Sequence, residues 1–199
     1  MYKKIGKRLF DFVMSLAALL ILGPLILACA VIIKLEDKNP AFFGQKRIGL
    51  HKKPFKIYKL RSMRIDAPQD VPTHLLVDPE RYTLKCGRFM RKYSLDELPQ
   101  IVNILKGDMS LVGPRPALWN QYDLIEEREK YGANDIRPGL TGWAQINGRD
   151  ELEVPEKAKF DGDYVKKISF LFDLMCLWRT VFKVVEHEGV IEGGTGAKK

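Results

Sequence analysis

The sequence predicts a predominantly helical α+β fold, a monotopic membrane protein that enters the bilayer through an N-terminal re-entrant helix broken at Gly23-Pro24. Three observations predict this class. Residues 10–33 are an apolar run with basic residues on both sides, and residues 168–185 repeat apolar side chains at helical spacing. Residues 55–58 alternate apolar and polar side chains, which is typical of a half-buried strand.

The apolar run is long enough to cross a bilayer. As a straight helix it measures about 36 Å at 1.5 Å per residue, against a hydrocarbon core of about 30 Å. A simple transmembrane helix is therefore one interpretation. Basic residues on both flanks favour a re-entrant helix instead, because the positive-inside rule places both flanks on the cytoplasmic side. Pro24 also removes a helical hydrogen bond and clashes with the carbonyl of Leu20, which would leave two pieces too short to cross alone.

Secretion is a weaker interpretation of the same run. Residues 25–29, Leu-Ile-Leu-Ala-Cys, resemble a bacterial lipoprotein cleavage box behind a basic amino-terminal segment. However, apolar residues continue through position 33, and basic residues follow without a flexible polar linker. These features argue against cleavage.

The positive charge of the chain is concentrated near the apolar run. Residues 1–64 carry 14 Lys/Arg and 3 Asp/Glu, whereas residues 65–199 carry 19 and 22. This distribution fits contact with anionic lipid headgroups. Nucleic acid is not an expected partner, because a binding arm would carry exposed aromatic residues among its basic ones rather than 24 apolar residues. The three cysteines show no CxxC or Cys/His spacing, so neither a disulfide framework nor a zinc site is expected.

Three segments divide the chain. Residues 1–37 are expected to form the re-entrant membrane helix with basic flanks, and residues 38–192 a cytoplasmic catalytic domain. Residues 193–199 are expected to form a mobile tail. Residues 39–64 are predicted to form short strands and turns, and Gly107 is predicted to end a helix that includes Leu98 and Leu105. The amphipathic segment 168–185 fits equally a core helix and a helix lying in the membrane interface.

The segment Arg91 to Pro116 carries the candidate site. Pro99 should fall within the first three positions of a helix, which places the helix start near Asp96 and Glu97. Helix capping alone would explain both acids, since Asp caps helices and Glu is favourable in a first turn.

The neighbouring arginines favour phosphate chemistry. Arg91 precedes the acid pair, and Gly113-Pro114-Arg115-Pro116 holds Arg115 in a restricted, non-helical backbone. Carboxylates that face phosphates need a cation between them, and Mg²⁺ bound by Asp96, Glu97, substrate oxygens and water would meet that need. A carboxylate can also accept a phosphoryl group.

Several blocks, in order, resemble the bacterial sugar transferase family of small monotopic polyprenyl-phosphate phosphoglycosyl transferases. The resemblance covers nearly the whole chain, although the membrane break reads Gly-Pro where Ser-Pro is familiar in the family. The blocks are KRLFDF (7–12), FKIYKLRSM (55–63), SLDELPQ (94–100), GDMSLVGPRP (107–116), RPGLTGWAQINGR (137–149) and DYVKKISFLFDL (163–174).

The resemblance implies transfer of a sugar 1-phosphate from a UDP-sugar to polyprenyl (undecaprenyl) phosphate, giving polyprenyl diphosphate sugar and UMP. By analogy, Asp96 attacks the sugar-bearing phosphate and forms a covalent intermediate, while Glu97 helps to bind Mg²⁺ or manages protons. The implied location is the cytoplasmic face of the bacterial plasma membrane, within one leaflet. The residues implied to contact phosphate or substrate are Lys59, Arg91, Arg115, Arg137 and Asp161. Asp161 and Asp173 are the weaker candidates, and a structural role fits either of them. The loop from Arg137 to Arg149 is implied to shape the nucleotide or sugar pocket, although its Pro-Gly and Thr-Gly turns also suit an ordinary surface loop.

Two alternatives remain at this stage. A polyprenyl-phosphate glycosyltransferase would release UDP and would need no phosphoryl-accepting carboxylate. A non-enzymatic membrane adaptor would use the basic face to recruit acidic partners.

Overall fold

The computed structural model describes residues 2–68, 76, 78–148 and 152–186, so the expected tail at 193–199 and Arg149 lie outside the described residues. Helices predominate, and the described strands form two small sheets, which confirms the predominantly helical α+β class. The helices are α1 (Lys7–Asp37), α2 (Pro79–Tyr82), α3 (Lys85–Lys92), α4 (Gln100–Lys106), α5 (Tyr122–Glu129), α6 (Trp143–Ile146), α7 (Val154–Lys167) and α8 (Phe170–Glu186). The strands are β1 (Phe42–Ile48), β2 (Pro54–Leu60), β3 (Ser110–Val112) and β4 (Gly139–Thr141).

Helix α1 continues through the proline at which a break was expected. Its 31 residues include Pro24 as an internal position, so the prediction that the helix is interrupted at Gly23-Pro24 is corrected. The physical reason is that proline lacks one N–H donor, and the loss of one hydrogen bond to Leu20 leaves the other turns intact. The helix ends at Lys38, whose left-handed backbone (φ 57°) brings its N–H to the carbonyl of Lys34. Helix α1 is long and apolar enough to cross a membrane.

Both ends of α1 pack on the rest of the protein, whereas its middle does not. Near its start, Asp11 is buried and accepts a hydrogen bond from the N–H of Leu111. Near its end, Ile26, Cys29 and Ile33 are buried in one apolar cluster with residues of β2 and α3. No residue between positions 16 and 25 is buried. The two ends of the helix are therefore held by the same globular unit.

The antiparallel pair β1–β2 forms the scaffold beneath the candidate site. Its register pairs Phe42 with Leu60 and Phe43 with Lys59. The other side of β2 is joined to α4 by the fully buried side chain of Asn103. Its Oδ1 accepts from the N–H of Tyr58 at 2.9 Å, and its Nδ2 donates to the carbonyl of Lys56 at 2.8 Å. A buried amide that uses both its donor and acceptor sides fixes α4 on the strand.

The same globular unit contains a second packing unit, in which α7 and α8 lie around the short parallel pair β3–β4. Ser110 pairs with Gly139 and Val112 with Thr141. The backbones approach so closely that a Cβ at Gly139 would lie 2.1 Å from the backbone nitrogen of Gly113. One outward surface of α8 leaves large apolar side chains exposed, namely Phe170, Leu171, Leu174, Trp178, Val181 and Phe182.

Candidate active site

Several chain segments line one cavity of about 320 Å³. The end of β2 contributes Lys59, α3 contributes Arg91, and the turn before α4 contributes Asp96. Glu97 lies next to this lining, and Arg115, from the segment after β3, contacts Glu97. The structure thus brings together Lys59, Arg91, Asp96, Glu97 and Arg115.

The acid pair lies in a short 3₁₀ turn, Leu95–Glu97, and not at the start of an α-helix. Helix α4 begins only at Gln100, with Pro99 as its cap, so the predicted helix start near Asp96 was wrong by about one turn. Pro99 explains the shift because it has no N–H to donate to the preceding turn. The cap positions of the 3₁₀ turn and of α4 are Ser94 and Pro99, so Asp96 occupies neither. Capping therefore does not account for its presence.

Glu97 is held by two cationic side chains. Its Oε1 accepts from Lys59 Nζ at 2.8 Å and from Arg115 Nη2 at 2.8 Å, and its Oε2 lies 3.4 Å from Arg115 Nη1. The Glu97 side chain is 11% exposed, so these charge-assisted bonds lie in a largely dry environment. Burial lowers the pKa of Lys59, and the Glu97 carboxylate opposes that shift.

Asp96 is buried and lines the cavity. The hydroxyl of Ser62 donates to Asp96 Oδ2 at 3.4 Å, a long hydrogen bond. Burial raises the pKa of the Asp96 carboxyl, Lys59 and Arg91 oppose that change, and Glu97 adds to it. The two adjacent carboxylates can therefore have different roles, because Glu97 is held by cationic side chains and Asp96 lines the cavity.

Close backbone packing sets the position of α3. A Cβ at Gly87 would lie 2.0 Å from the carbonyl oxygen of Ser62. That same carbonyl accepts a hydrogen bond from the N–H of Leu84 at 3.1 Å. Because Gly87 and Arg91 lie one turn apart on α3, this contact fixes where Arg91 enters the cavity.

The rest of the cavity wall is partly basic and partly apolar. Sequence reasoning did not single out Arg47, Arg61, Ser62 or Arg64, all of which line it. The block at 55–63 was the available signal for Arg61 and Ser62, but only Lys59 was taken from it. The apolar wall includes Phe42, Phe43, Leu60, Met63, Ile65 and Leu76.

Three candidates from the sequence lie away from this cavity. Arg137 donates from Nε to the carbonyl of Gly107 at 2.9 Å and does not line the cavity. Asp161 is buried on α7, where its Oδ2 lies 2.8 Å from Nε of Arg128. The structure therefore gives Asp161 a buried ion pair, while the substrate contact that was expected stays untested.

Asp173 also has a structural environment. It is fully buried on α8, and its carboxylate accepts from Tyr2 at 2.6 Å, Lys7 at 2.7 Å and Tyr164 at 2.7 Å. Its three partners come from the N-terminal turn, the start of α1 and α7. Asp173 therefore joins the beginning of the membrane helix to the second unit of the fold.

The acid pair is compatible with Mg²⁺ only if the substrate completes the coordination. Within the described ranges, no group of three His, Cys, Asp or Glu side chains could hold a metal ion. Asp96 and Glu97 supply two carboxylates, and Mg²⁺ commonly binds one or two carboxylates together with substrate phosphates and water. The donor set thus fits a magnesium ion that arrives with a phosphate ligand.

Comparison with known proteins identifies a family and several relatives. The model of the bacterial sugar transferase family matches residues 2–187. The uncharacterized sugar transferase EpsL of Bacillus subtilis (strain 168) is 45% identical over 184 residues, covering 92% of this chain and 89% of that protein.

Two longer relatives carry more specific names. The UDP-glucose:undecaprenyl-phosphate glucose-1-phosphate transferase of Escherichia coli (strain K12) is 41% identical over 185 residues, covering 89% of this chain. The undecaprenyl-phosphate galactose phosphotransferase of Salmonella typhimurium is 37% identical over 203 residues, covering 92% of this chain. The chain spans only 39% and 41% of these two relatives.

Proposed function

This chain belongs to the bacterial sugar transferase family, and we propose that it transfers a sugar 1-phosphate from a UDP-sugar to undecaprenyl phosphate, releasing UMP. The observation that carries this proposal is the buried pair Asp96–Glu97, surrounded by Lys59, Arg91 and Arg115 at one cavity. The names of the two longer relatives support the reaction class, because both describe sugar phosphate transfer to undecaprenyl phosphate.

The proposed chemistry proceeds in two displacements at the sugar-bearing phosphorus. An Asp96 oxygen attacks, a phosphorus–oxygen bond forms, and the phosphoanhydride breaks with its electron pair leaving on UMP. An oxygen of the lipid phosphate then attacks the same phosphorus. The bond to Asp96 breaks, which returns the free carboxylate and gives polyprenyl diphosphate sugar.

The side chains of the cavity support these roles differently. Glu97 already accepts from Lys59 and Arg115 at 2.8 Å, so its charge is largely compensated, whereas the hydrogen bond that Asp96 accepts from Ser62 is long, at 3.4 Å. Asp96 is therefore the better nucleophile. In the proposed mechanism, Lys59, Arg91 and Arg115 hold phosphate oxygens and stabilise the charge that develops on them.

Asp96 and Glu97 would hold the Mg²⁺ ion of this reaction, which would neutralise phosphate charge and so ease the approach of a carboxylate. The requirement for substrate oxygens in its coordination predicts weak binding of Mg²⁺ to the protein alone.

The packing of α1 supports a monotopic arrangement on the cytoplasmic face of the plasma membrane. A helix that crosses the bilayer places its ends about 30 Å apart on opposite sides. Here Lys7 pairs with Asp173, and Asp37 pairs with Arg61, so both ends of α1 contact the same globular unit. The exposed middle of the helix is then the part that lies within one leaflet.

Helix α8 supports the same placement. Its exposed apolar surface includes Trp178, and its basic residues include Arg179 and Lys183. A helix with these properties lies in the plane of the membrane interface. The cavity would then meet a lipid phosphate at headgroup level while remaining open to a nucleotide sugar from the cytoplasm.

The nucleotide product tests the proposal against the UDP-releasing alternative. We would incubate the detergent-purified chain with a panel of UDP-sugars, undecaprenyl phosphate and Mg²⁺, and separate the nucleotides by chromatography. The proposal predicts UMP from at least one UDP-sugar and its loss in Asp96→Asn. UDP as the product would support a glycosyltransferase, and no product from any donor would leave the membrane adaptor.

A further inference from the structure

The last turn of the membrane helix α1 ends in two acids that face the catalytic unit. Glu36 accepts from the backbone N–H of Lys85 at 2.8 Å through Oε1, and from that of Cys86 at 3.0 Å through Oε2. Asp37 pairs with the guanidinium of Arg61. These contacts join α1 to α3 and to the segment that follows β2.

The contact from Glu36 replaces a missing helix cap. The first amides of any α-helix have no partner within the helix, and a side chain commonly satisfies them. The cap position of α3 is Leu84, whose side chain cannot accept a hydrogen bond. Glu36 supplies two acceptor oxygens from a different element, and its negative charge is favourable at a helix N-terminus.

The position of α3 matters because it brings Arg91 to the cavity. On one side α3 is fixed by the close contact between Gly87 and the carbonyl of Ser62. Ser62 in turn donates to Asp96. The two hydrogen bonds from Glu36 fix the first turn of the same helix, so α3 is held at its start and at its middle.

We propose that Glu36 is a positioning residue for catalysis, which couples the end of the membrane helix to the placement of Arg91 beside Asp96. This inference rests on the proposed function, because it assigns Arg91 and Asp96 their roles in phosphate transfer. Glu36 touches neither the cavity nor its ligands and acts through the backbone of α3. Its exposed position keeps its contribution to global stability small while its effect on geometry remains.

The test compares three substitutions at Glu36 with one matched control. Glu36→Ala removes both acceptors, Glu36→Gln keeps one carbonyl acceptor, and Glu36→Asp keeps the charge on a shorter side chain. Glu80→Ala is the control, because Glu80 is also an exposed acid that contacts α3, but through the side chain of Arg88 at 3.0 Å rather than through backbone amides.

Three measurements are made on each variant in lipid nanodiscs, namely UMP release, hydrogen exchange and thermal unfolding. The rate of UMP release in a single turnover is expected to fall about ten- to a hundredfold in Glu36→Ala, since small misplacements of reacting groups have effects of this size. Glu36→Gln is expected to recover part of that rate, and Glu80→Ala all of it. Hydrogen exchange at the amides of residues 85 and 86 is expected to be faster in Glu36→Ala, with an unchanged unfolding temperature.

Each other result overturns the inference. An unchanged rate of UMP release in Glu36→Ala would exclude a positioning role, as would a fall that occurs equally in Glu80→Ala. A fall that accompanies a lower unfolding temperature and no recovery in Glu36→Gln would indicate a purely structural role. If the wild-type chain released no UMP, the proposed function would fail. Unchanged exchange at residues 85 and 86 would refute the contact itself, whatever the chemistry.

Discussion

The buried pair Asp161–Arg128 should determine stability and leave substrate binding unchanged. Asp161 is 1% exposed and Arg128 is 4% exposed, and their closest charged atoms are 2.7 Å apart. Removing one partner of such a pair leaves a buried charge without compensation, which costs about 3–5 kcal/mol. For a chain of this length, we expect Asp161→Ala to lower the unfolding temperature by roughly 6–20 °C.

The two partners should respond differently, because only one of them can become neutral. Arginine stays protonated in proteins, so Asp161→Ala leaves a permanent buried charge. Burial already raises the pKa of Asp161, and Arg128 and Lys157 oppose that shift. In Arg128→Met the carboxyl can take up a proton, which limits the loss of stability. The pKa of the Asp161 carboxyl is higher in the folded state than in the unfolded state, so the folded state binds more protons. The stability of Arg128→Met therefore falls as pH rises.

The assay is thermal unfolding followed by circular dichroism from about pH 4, near the pKa of aspartate in an unfolded chain, to pH 8, with the KM for the UDP-sugar measured at low temperature. We expect the unfolding temperature of Arg128→Met to fall toward pH 8. That of Asp161→Ala should be below the wild-type value at every pH in this range. The double variant Asp161→Leu/Arg128→Met is the control, since apolar replacement of a whole buried pair is often neutral. A raised KM for Asp161→Ala at wild-type stability would refute this reasoning and restore a substrate role.

Three further predictions concern α3 and the candidate active site. Gly87→Ala should lower activity, and it should lower the free energy of unfolding by about 1–3 kcal/mol, because the added Cβ would overlap the backbone of Ser62. Wild-type unfolding and turnover would contradict this prediction. Burial, followed by the hydrogen bond with Glu36, raises the pKa of Cys86 to about 12. Iodoacetamide at pH 8 should therefore alkylate Cys86 roughly a thousandfold more slowly in the folded chain than in the urea-unfolded chain. Peptide mass spectrometry measures both rates, and similar rates would refute the pKa shift. Lys59→Met removes one charge-assisted bond to Glu97 and should lower kcat/KM about 10- to 100-fold in steady-state UMP release, whereas an unchanged value would exclude the role proposed for Lys59.

Local sequence patterns predicted several elements well. Alternation predicted strand at 55–58, which lies within β2, and helical spacing predicted the segment that became α8. Gly107 ends α4 in a left-handed conformation (φ 92°), as its place after a helical pattern indicated. These features depend on residues that are close in the chain, and each has a recognisable spacing.

Features that depend on distant contacts were harder to predict. The parallel pair β3–β4 has three residues in each strand, too few to show a period. The ion pair between Asp161 and Arg128 joins two different helices, so no local pattern predicted it. The helix start was misplaced at Asp96 because a 3₁₀ turn ahead of Pro99 has no distinct sequence pattern.

The sequence predicted the acids and arginines of the candidate site, but not the residue that holds α3 in position beside them. Asp96, Glu97, Arg91 and Arg115 lie in one stretch whose composition indicates phosphate chemistry, and the structure brings them together. Glu36 supports that stretch from about 50 residues away. Only the fold reveals such a contact.

Formation of a covalent sugar phosphate on Asp96 tests the central claim most directly. The chain would be mixed with a UDP-sugar that it accepts and Mg²⁺, without undecaprenyl phosphate. The proposed mechanism predicts release of one UMP per active site, and a mass increase equal to one sugar phosphate on the tryptic peptide 93–106. Neither should occur in Asp96→Asn. UMP release that requires the lipid phosphate from the outset, with no mass increase on that peptide, would contradict the mechanism.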